Sequence, residues 1–154
     1  MATKTLSKSD IKKINEDTKK LYGREFLSKK DFAQITKEPI KHILVNREPF
    51  FFYHEEKLVP FLKIIYKDQF LKKVVVDMGA VKFVCNGADI MKPGITKFEE
   101  TIKKEDLVVV VDEKNDKPLA IGESLVSFEE YNKQNGGKII KNLHYVLDDK
   151  WNLK

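Results

Sequence analysis

Asp77 and Asp89 bracket a stretch rich in small residues, with Cys85 between them. Two carboxylates can divide general acid and base work when their surroundings hold one protonated and the other ionised. A cysteine next to a histidine can act as a nucleophile. The spacing here completes neither arrangement. Both aspartates also suit a local role, accepting hydrogen bonds from turn amides. Cys85 lies between Val84 and Asn86 with no histidine nearby in sequence, which suits a small buried thiol. His42, His54 and His144 lack metal-ligand spacing, and a single cysteine cannot build a thiolate zinc cluster. They are expected as a strand, a turn and a sheet or surface histidine. Glu55-Glu56 and Asp148-Asp149 are adjacent pairs rather than carboxylates placed across a cleft. The chain has neither a P-loop nor a G-x-G-x-x-G motif. No catalytic residue, metal or cofactor is therefore expected.

The same stretch has a different use as a shaped backbone. Lys73 to Gly94 reads KVVVDMGAVKFVCNGADIMKPG. Val74 to Val76 is a short strand running into Asp77. Gly79 is expected to let the chain turn, and Ala80 to Cys85 to form one or two turns of helix. Gly87 is expected at positive φ, ending that helix. Ile90 and Met91 are expected to turn inward, and Pro93-Gly94 to make a corner before another strand, marked by Ile95 and Phe98. Lys82, Asn86, Lys92 and Lys97 surround this surface. A rigid turn with cations beside it suits a curved, charged polymer better than it suits bond-making chemistry.

The positioning elements follow from periodicity and punctuation. Ser7 to Asp10 is a capping box of the Ser-x-x-Asp type. Ile11, Ile14, Thr18 and Leu21 then share a helix face, and Gly23 stops the helix. Lys12, Lys13, Lys19 and Lys20 lie off that face, as solvated surface or facing phosphates. Ser28 to Asp31 repeats the capping signal, so Phe32 and Ile35 are expected on a short helix ended by Pro39. Ile40–Val45, Phe50–Tyr53 and Leu58–Tyr66 read as strands, with turns at Asn46–Pro49 and His54–Lys57. Pro60 favours an edge. Phe50, Phe51, Phe52 and Tyr53 cannot all point one way on a strand. They are either buried on both faces or partly offered to a partner. Two helices against a small antiparallel sheet are expected, with a weak boundary at Asp68-Gln69-Phe70. Beyond Gly94, Leu107–Val111 is a continuous apolar strand and 112–117 a polar hairpin. Pro118–Gly122 returns as its partner, with Ala120 and Gly122 allowing close approach. Ser127–Glu130 starts a short helix, Asn135-Gly136-Gly137 is a turn, and Lys138–Leu147 is the last strand. Many short strands and one helix predict a small closed or nearly closed barrel.

The 154 residues suffice for one domain or two small ones. No apolar run approaches a membrane span, and the lysine-bearing N-terminus lacks a signal-peptide core. A lone cysteine fits a reducing compartment, so a cytoplasmic location without membrane association is expected. The net charge of +5 favours polyanions. Residues 1–70 carry 15 basic against 10 acidic residues, whereas residues 71–154 carry 14 of each, so the excess lies in the first half. Only Arg24 and Arg47 are arginines among 29 basic residues, which favours phosphate attraction over bidentate base reading.

VVVDMGAVKFVCNGADIMKPGI followed by KKEDLVVVVDEKNDKPLAIGESL resembles the PUA domain, an RNA-binding module named for pseudouridine synthases and archaeosine transglycosylases. The resemblance covers about residues 73–150. It implies a pseudobarrel of about six strands, in which the first helix, the glycine loop and the last strand meet RNA. Carried onto this chain, Gly79, Ala80 and Lys82 open the site, and Gly87, Ala88 and Asp89 form its loop. Met91, Lys92, Pro93 and Gly94 complete it; Asn86 and Lys97 are added as RNA contacts from their place around this surface, not from the resemblance. The first part resembles the small α+β domain that precedes PUA in archaeal proteins and in the malignant T-cell-amplified sequence family. The eukaryotic members of that family act in translation with the density-regulated protein, and carry first-domain cysteines that bind metal and that partner. This chain has none before Cys85.

The expected fold is thus an α+β N-terminal domain over 1–70 followed by a mainly β PUA-type pseudobarrel over 71–154. The expected function is non-catalytic binding of structured RNA, either tRNA or small-subunit rRNA, in translation initiation, reinitiation or recycling. A translation-factor protein is a possible partner. The alternatives are an enzyme or accessory subunit of tRNA or rRNA modification, and a protein–protein adaptor using Phe50–Tyr53.

Overall fold

The structure is a computed structural model and describes residues 3–154. The chain divides into two compact units. One runs to Phe61 and takes in Leu153–Lys154, and the other spans Leu62–Asn152.

The first unit is an antiparallel sheet with one long helix. Its strands β1 (Lys4–Thr5), β2 (Ala33–Thr36), β3 (His42–Val45), β4 (Glu48–His54) and β5 (Lys57–Pro60) lie in sequence order. Helix α1 (Lys8–Tyr22) begins with the expected capping box. The Ser7 side chain accepts from the Asp10 amide, and the Asp10 carboxylate accepts from the Ser7 amide. Gly23, at φ 76°, closes the helix and donates its N–H to Lys19 O. Ile14 and Thr18 are buried, but Leu21 is 37% exposed, so the apolar face is shorter than its periodicity predicts. Both hairpin turns place two residues in the left-handed region: Asn46 and Arg47 in one, Glu55 and Glu56 in the other. Such turns match the twist of the flanking strands.

Two expectations for this unit fail. Ala33–Thr36 is a strand, not a helix. The Ser28–Asp31 signal is a closed turn, in which the Asp31 carboxylate accepts from the Ser28 amide at 2.8 Å and from its hydroxyl at 3.1 Å. Asn46 then captures the Phe32 amide, and Ala33–Thr36 pairs along β3, so sheet pairing overrides the local signal. The third strand stops at Pro60, and Leu62–Lys67 is helix α2. Pro60 stands on the edge strand, as expected. Among the described residues, the first unit therefore has one helix with its sheet, not two. The four aromatic residues of β4 divide between its faces. Phe51 and Phe52 are buried, with Phe51 against Tyr22 and Phe26 and Phe52 against Phe61. That burial removes the exposed aromatic surface on which the adaptor reading rests.

The second unit is a six-stranded near-barrel. Its strands are β6 (Lys72–Val76), β7 (Ile90–Met91), β8 (Ile95–Phe98), β9 (Leu107–Asp112), β10 (Pro118–Ser124) and β11 (Lys138–Tyr145). They run in the order β7-β11-β10-β9-β6-β8, with β6 and β9 parallel and the other pairs antiparallel. Helix α3 (Val81–Val84) follows β6, and α4 (Phe128–Lys133) precedes β11 behind a Ser127–Glu130 capping box. Every residue of β9 is buried, which is why Leu107–Val111 is uniformly apolar. Val74, Val76, Val84, Ile90, Val108, Val110, Leu119, Ile139 and Ile140 form the core. Phe98 stacks on Tyr131 at 4.3 Å to close one end.

His144, on β11, is fully buried and ties α2 to the barrel. Its Nε2 accepts the Leu62 N–H at 3.0 Å, and its Nδ1 faces both Asp148 oxygens at 2.9 Å. The ring is therefore neutral, with its proton on Nδ1. Burial pushes its pKa below the ordinary 6.5, and Lys150 adds to this, while Asp148 opposes it without prevailing. Below about pH 6.5 the unfolded chain takes up a proton that the folded chain resists, so this contribution to stability is present above that pH and is lost as pH falls. Each unit of depression is worth about 1.4 kcal/mol. Urea denaturation between pH 7.5 and pH 5 should therefore show a loss of stability that His144→Gln largely abolishes. Equal slopes in the two proteins would show that the ring is not neutral in the fold.

Candidate nucleic-acid interface

The Asp77–Gly94 segment folds as a braced loop–helix–loop. The Ala80 N–H donates to the Asp77 carboxylate at 2.9 Å, so Asp77 caps the turn entering α3. The Asp77 N–H donates to Gly94 O at 2.9 Å, closing the two ends of the segment on each other. A Cβ on Gly94 would meet the Ala80 methyl at 3.2 Å, which explains why both positions are small. Gly87 sits at φ +91° as expected, and a Cβ there would also meet the Tyr145 ring at 3.0 Å. Gly79 turns without positive φ, so it is not there for a left-handed backbone. Residues Lys92–Gly94 form a single 3-10 turn, held where the Lys92 N–H donates to Gly137 O.

Strand β11 braces this segment from behind. Asn142 donates its side-chain amide to Val84 O at 3.1 Å and to Ala88 O at 3.0 Å, and its backbone N–H to Asp89 at 2.8 Å. Lys138 pairs with the other Asp89 oxygen at 2.9 Å. Burial pushes the Asp89 carboxyl up, but the Lys138 and Asn142 hydrogen bonds outweigh it and hold the pKa below the usual carboxylate range. Asp89 is thus a structural anchor that stays ionised, not a proton donor near neutral pH. Its partner amide lies on β11 and not in its own turn. The half-buried Cys85 thiol is pushed up by desolvation, away from the reactive thiolate.

The frame encloses an open hollow of about 430 Å³. Gly79, Ala80, Ala88, Asp89, Met91, Pro93 and Gly94 line it, together with Asp77, Phe83, Val84 and Ile90. Seven of the twelve expected residues are therefore brought together here. Lys82, Asn86 and Lys97 are exposed, Lys82 and Asn86 around α3 and Lys97 on β8. Lys92 is committed elsewhere. Its ammonium donates to Tyr131 O and lies 4.1 Å from the centre of that ring. Ile90 points inward as expected, but Met91 is 47% exposed, a correction forced by the alternation of a two-residue strand.

Sequence reasoning missed the apolar part of this face. Phe83 is 58% exposed and Met78 44%, beside the exposed Met91. Lys82 Nζ stands 5.2 Å from the Phe83 ring centre. On a four-residue helix Val84 takes the core position, so adjacent Phe83 faces outward. That neighbour relation was the available signal.

A braced, apolar-lipped hollow with an exposed lysine beside it, on a six-stranded near-barrel, has the form of a binding module rather than of an enzyme cleft. The PUA domain family model matches residues 72–146. An uncharacterized protein of Methanocaldococcus jannaschii is 44% identical over 97% of this chain and 94% of its own length. Translation machinery-associated protein 20 of Eremothecium gossypii is 35% identical over 83% of this chain and 76% of its own. A hypothetical protein from Pyrococcus horikoshii has a solved structure with TM-score 0.85 and 35% identity, covering 98% of each chain. The chain belongs to the PUA-domain family that includes archaeal PUA proteins, translation machinery-associated protein 20 and malignant T-cell-amplified sequence 1. It is an RNA-binding, non-catalytic protein related to translation-associated proteins. Among the described residues, no helix is long and apolar enough to cross a membrane.

Proposed function

We propose that the protein acts in the cytoplasm on tRNA or small-subunit rRNA during translation initiation, reinitiation or recycling, alongside a partner from the translation machinery. In this reading residues 1–70 form the domain that precedes PUA, and residues 71–154 the PUA domain. The hollow beside α3 takes unpaired nucleotides of a structured RNA, while the lysine-rich first domain attracts phosphates. One observation carries the reading. An aromatic ring more than half exposed, Phe83, stands beside a lysine on a frame braced by hydrogen bonds on several sides. An exposed ring on rigid backbone is what stacking of a splayed base requires, and RNA recognition favours such bases. The relationship to translation machinery-associated protein 20 supports the cellular context.

Crosslinking the protein in cells and sequencing the attached RNA tests this directly. Reads should concentrate at tRNA 3′ ends or at one helix of small-subunit rRNA, and should fall when binding is challenged with salt. Reads spread over messenger RNA in proportion to abundance would refute it. The modification-enzyme alternative requires a deep polar pocket with a carboxylate raised toward neutrality. The hollow is instead open and mainly apolar, and Asp89 is shifted downward.

A further inference from the structure

A second aromatic and cationic surface lies on the Leu62–Asn152 unit, away from the hollow lining. Lys63 and Tyr66 are exposed and three residues apart on α2, so they share a helix face. Trp151, in the turn after β11, meets both. Its ring centre is 5.6 Å from that of Tyr66 in an edge-on arrangement, and Lys63 Nζ is 5.1 Å from the indole. Tyr66 is 42% exposed, yet it is fixed in place, because its hydroxyl donates to Pro118 O at 2.7 Å. Asp148 holds the turn that carries the indole, accepting the Trp151 N–H at 2.8 Å. Two rings are thus locked from behind while remaining partly open to solvent. The surface adjoins α3. Tyr66 lies within electrostatic reach of Cys85, the residue that caps α3, and exposed Lys117 lies within reach of the same cysteine.

An edge-packed ring pair with a lysine beside it does not build a hydrophobic core, since Tyr66 and Lys63 face water. It does match single-stranded nucleic acid, which combines flat apolar bases with one phosphate per residue. Lys63 stands beside the indole, and Lys117 precedes Pro118, to which Tyr66 is bonded. Two carboxylates are also close, Asp148 at Trp151 and Asp112 within reach of Tyr66, and both accept hydrogen bonds from backbone N–H groups.

We propose that Lys63, Tyr66, Trp151 and Lys117 form a second RNA contact, a stacking platform for unpaired nucleotides that flank the segment held at the α3 hollow. This rests on the RNA-binding function proposed above and adds a strand path to it. RNA leaving the hollow passes the end of α3 and places a base against the indole, with its phosphates by the two lysines.

Trp151 is the only tryptophan, so its emission reports on this platform alone. The test titrates the full-length protein with unfractionated deacylated tRNA and, separately, with small-subunit rRNA. Filter retention and tryptophan emission are read on the same samples. Emission should be quenched in step with retention, and Lys63→Glu and Tyr66→Ala should each weaken binding about tenfold. Normal emission from free Lys63→Glu protein verifies that the platform is folded. Retention with unchanged emission, and with both variants binding like the parent, overturns the platform while leaving the hollow as the RNA site. If neither RNA is retained, even at low salt, the platform and the proposed function are overturned together.

Discussion

Gly122→Ala should lower the stability of the protein by about 3 kcal/mol, the upper range for forcing atoms into a packed core. Gly122 lies on β10, where the register with β11 shifts between Ile121 and Gly122. A Cβ there would fall 2.4 Å from Ile140 Cγ2 and 2.6 Å from the Lys141 carbonyl oxygen. The side chain could move, but the carbonyl belongs to a paired strand, so relief requires β10 and β11 to separate locally. The damage would reach the proposed RNA face, because Asn142, which faces Gly122 across the ladder, braces α3 and Ala88. Gly136→Ala provides the comparison. That glycine has open space around it and no left-handed backbone, so alanine there should be neutral or slightly stabilising, by under about 1 kcal/mol. Urea denaturation of the two variants beside the parent measures the contrast. A Gly122→Ala protein within about 0.5 kcal/mol of the parent would mean that the strand ladder yields far more easily than packed sheets do.

Combining Lys82→Glu with Phe83→Ala should weaken RNA binding about a hundredfold, while thermal stability stays within the small range typical of surface changes. Loss of one base stacked on an aromatic ring costs about 1–3 kcal/mol, and reversing one phosphate-facing charge removes a salt-dependent contribution besides. The single variants separate the two effects. Phe83→Ala should reduce affinity similarly at low and high salt. Lys82→Glu should reduce it mainly at low salt and make the slope of log affinity against log salt shallower by about one. Lys92→Glu is a poorer test, because Lys92 supports Tyr131, which in turn stacks on Phe98 in the barrel. Parent-like binding by the double variant would remove α3 from the RNA site.

The elements that announced themselves locally are those whose signals need only their own neighbours. Ser7, Asp10 and Gly23 begin and end α1 through bonds within a few residues, and Ser127 and Glu130 do the same for α4. The apolar run Leu107–Val111 declared a strand buried on both faces, and the small residues at Gly79, Ala80, Ala88 and Gly94 declared a tight corner. Where one local pattern permits two outcomes, the chain alone chose wrongly. Ser28 to Asp31 is equally a helix cap and a closed turn, and pairing along β3 decided for the turn. Leu58 to Tyr66 is apolar throughout, and Pro60 together with the Leu62–His144 bond ended the strand and began α2.

The family motifs determined the fold class without coordinates, and the charge asymmetry pointed toward an anionic partner. Which side chains are exposed beside the hollow was decided only by the tertiary structure. Lys82 and Lys92 look alike in sequence, yet one stands exposed by Phe83 and the other is bound to Tyr131, thirty-nine residues on. Phe83 and Val84 are both apolar neighbours on one turn, and the core has room for Val84 alone. Exposure is a property of what packs around a residue, and here those neighbours come from β11 and α4, far along the chain.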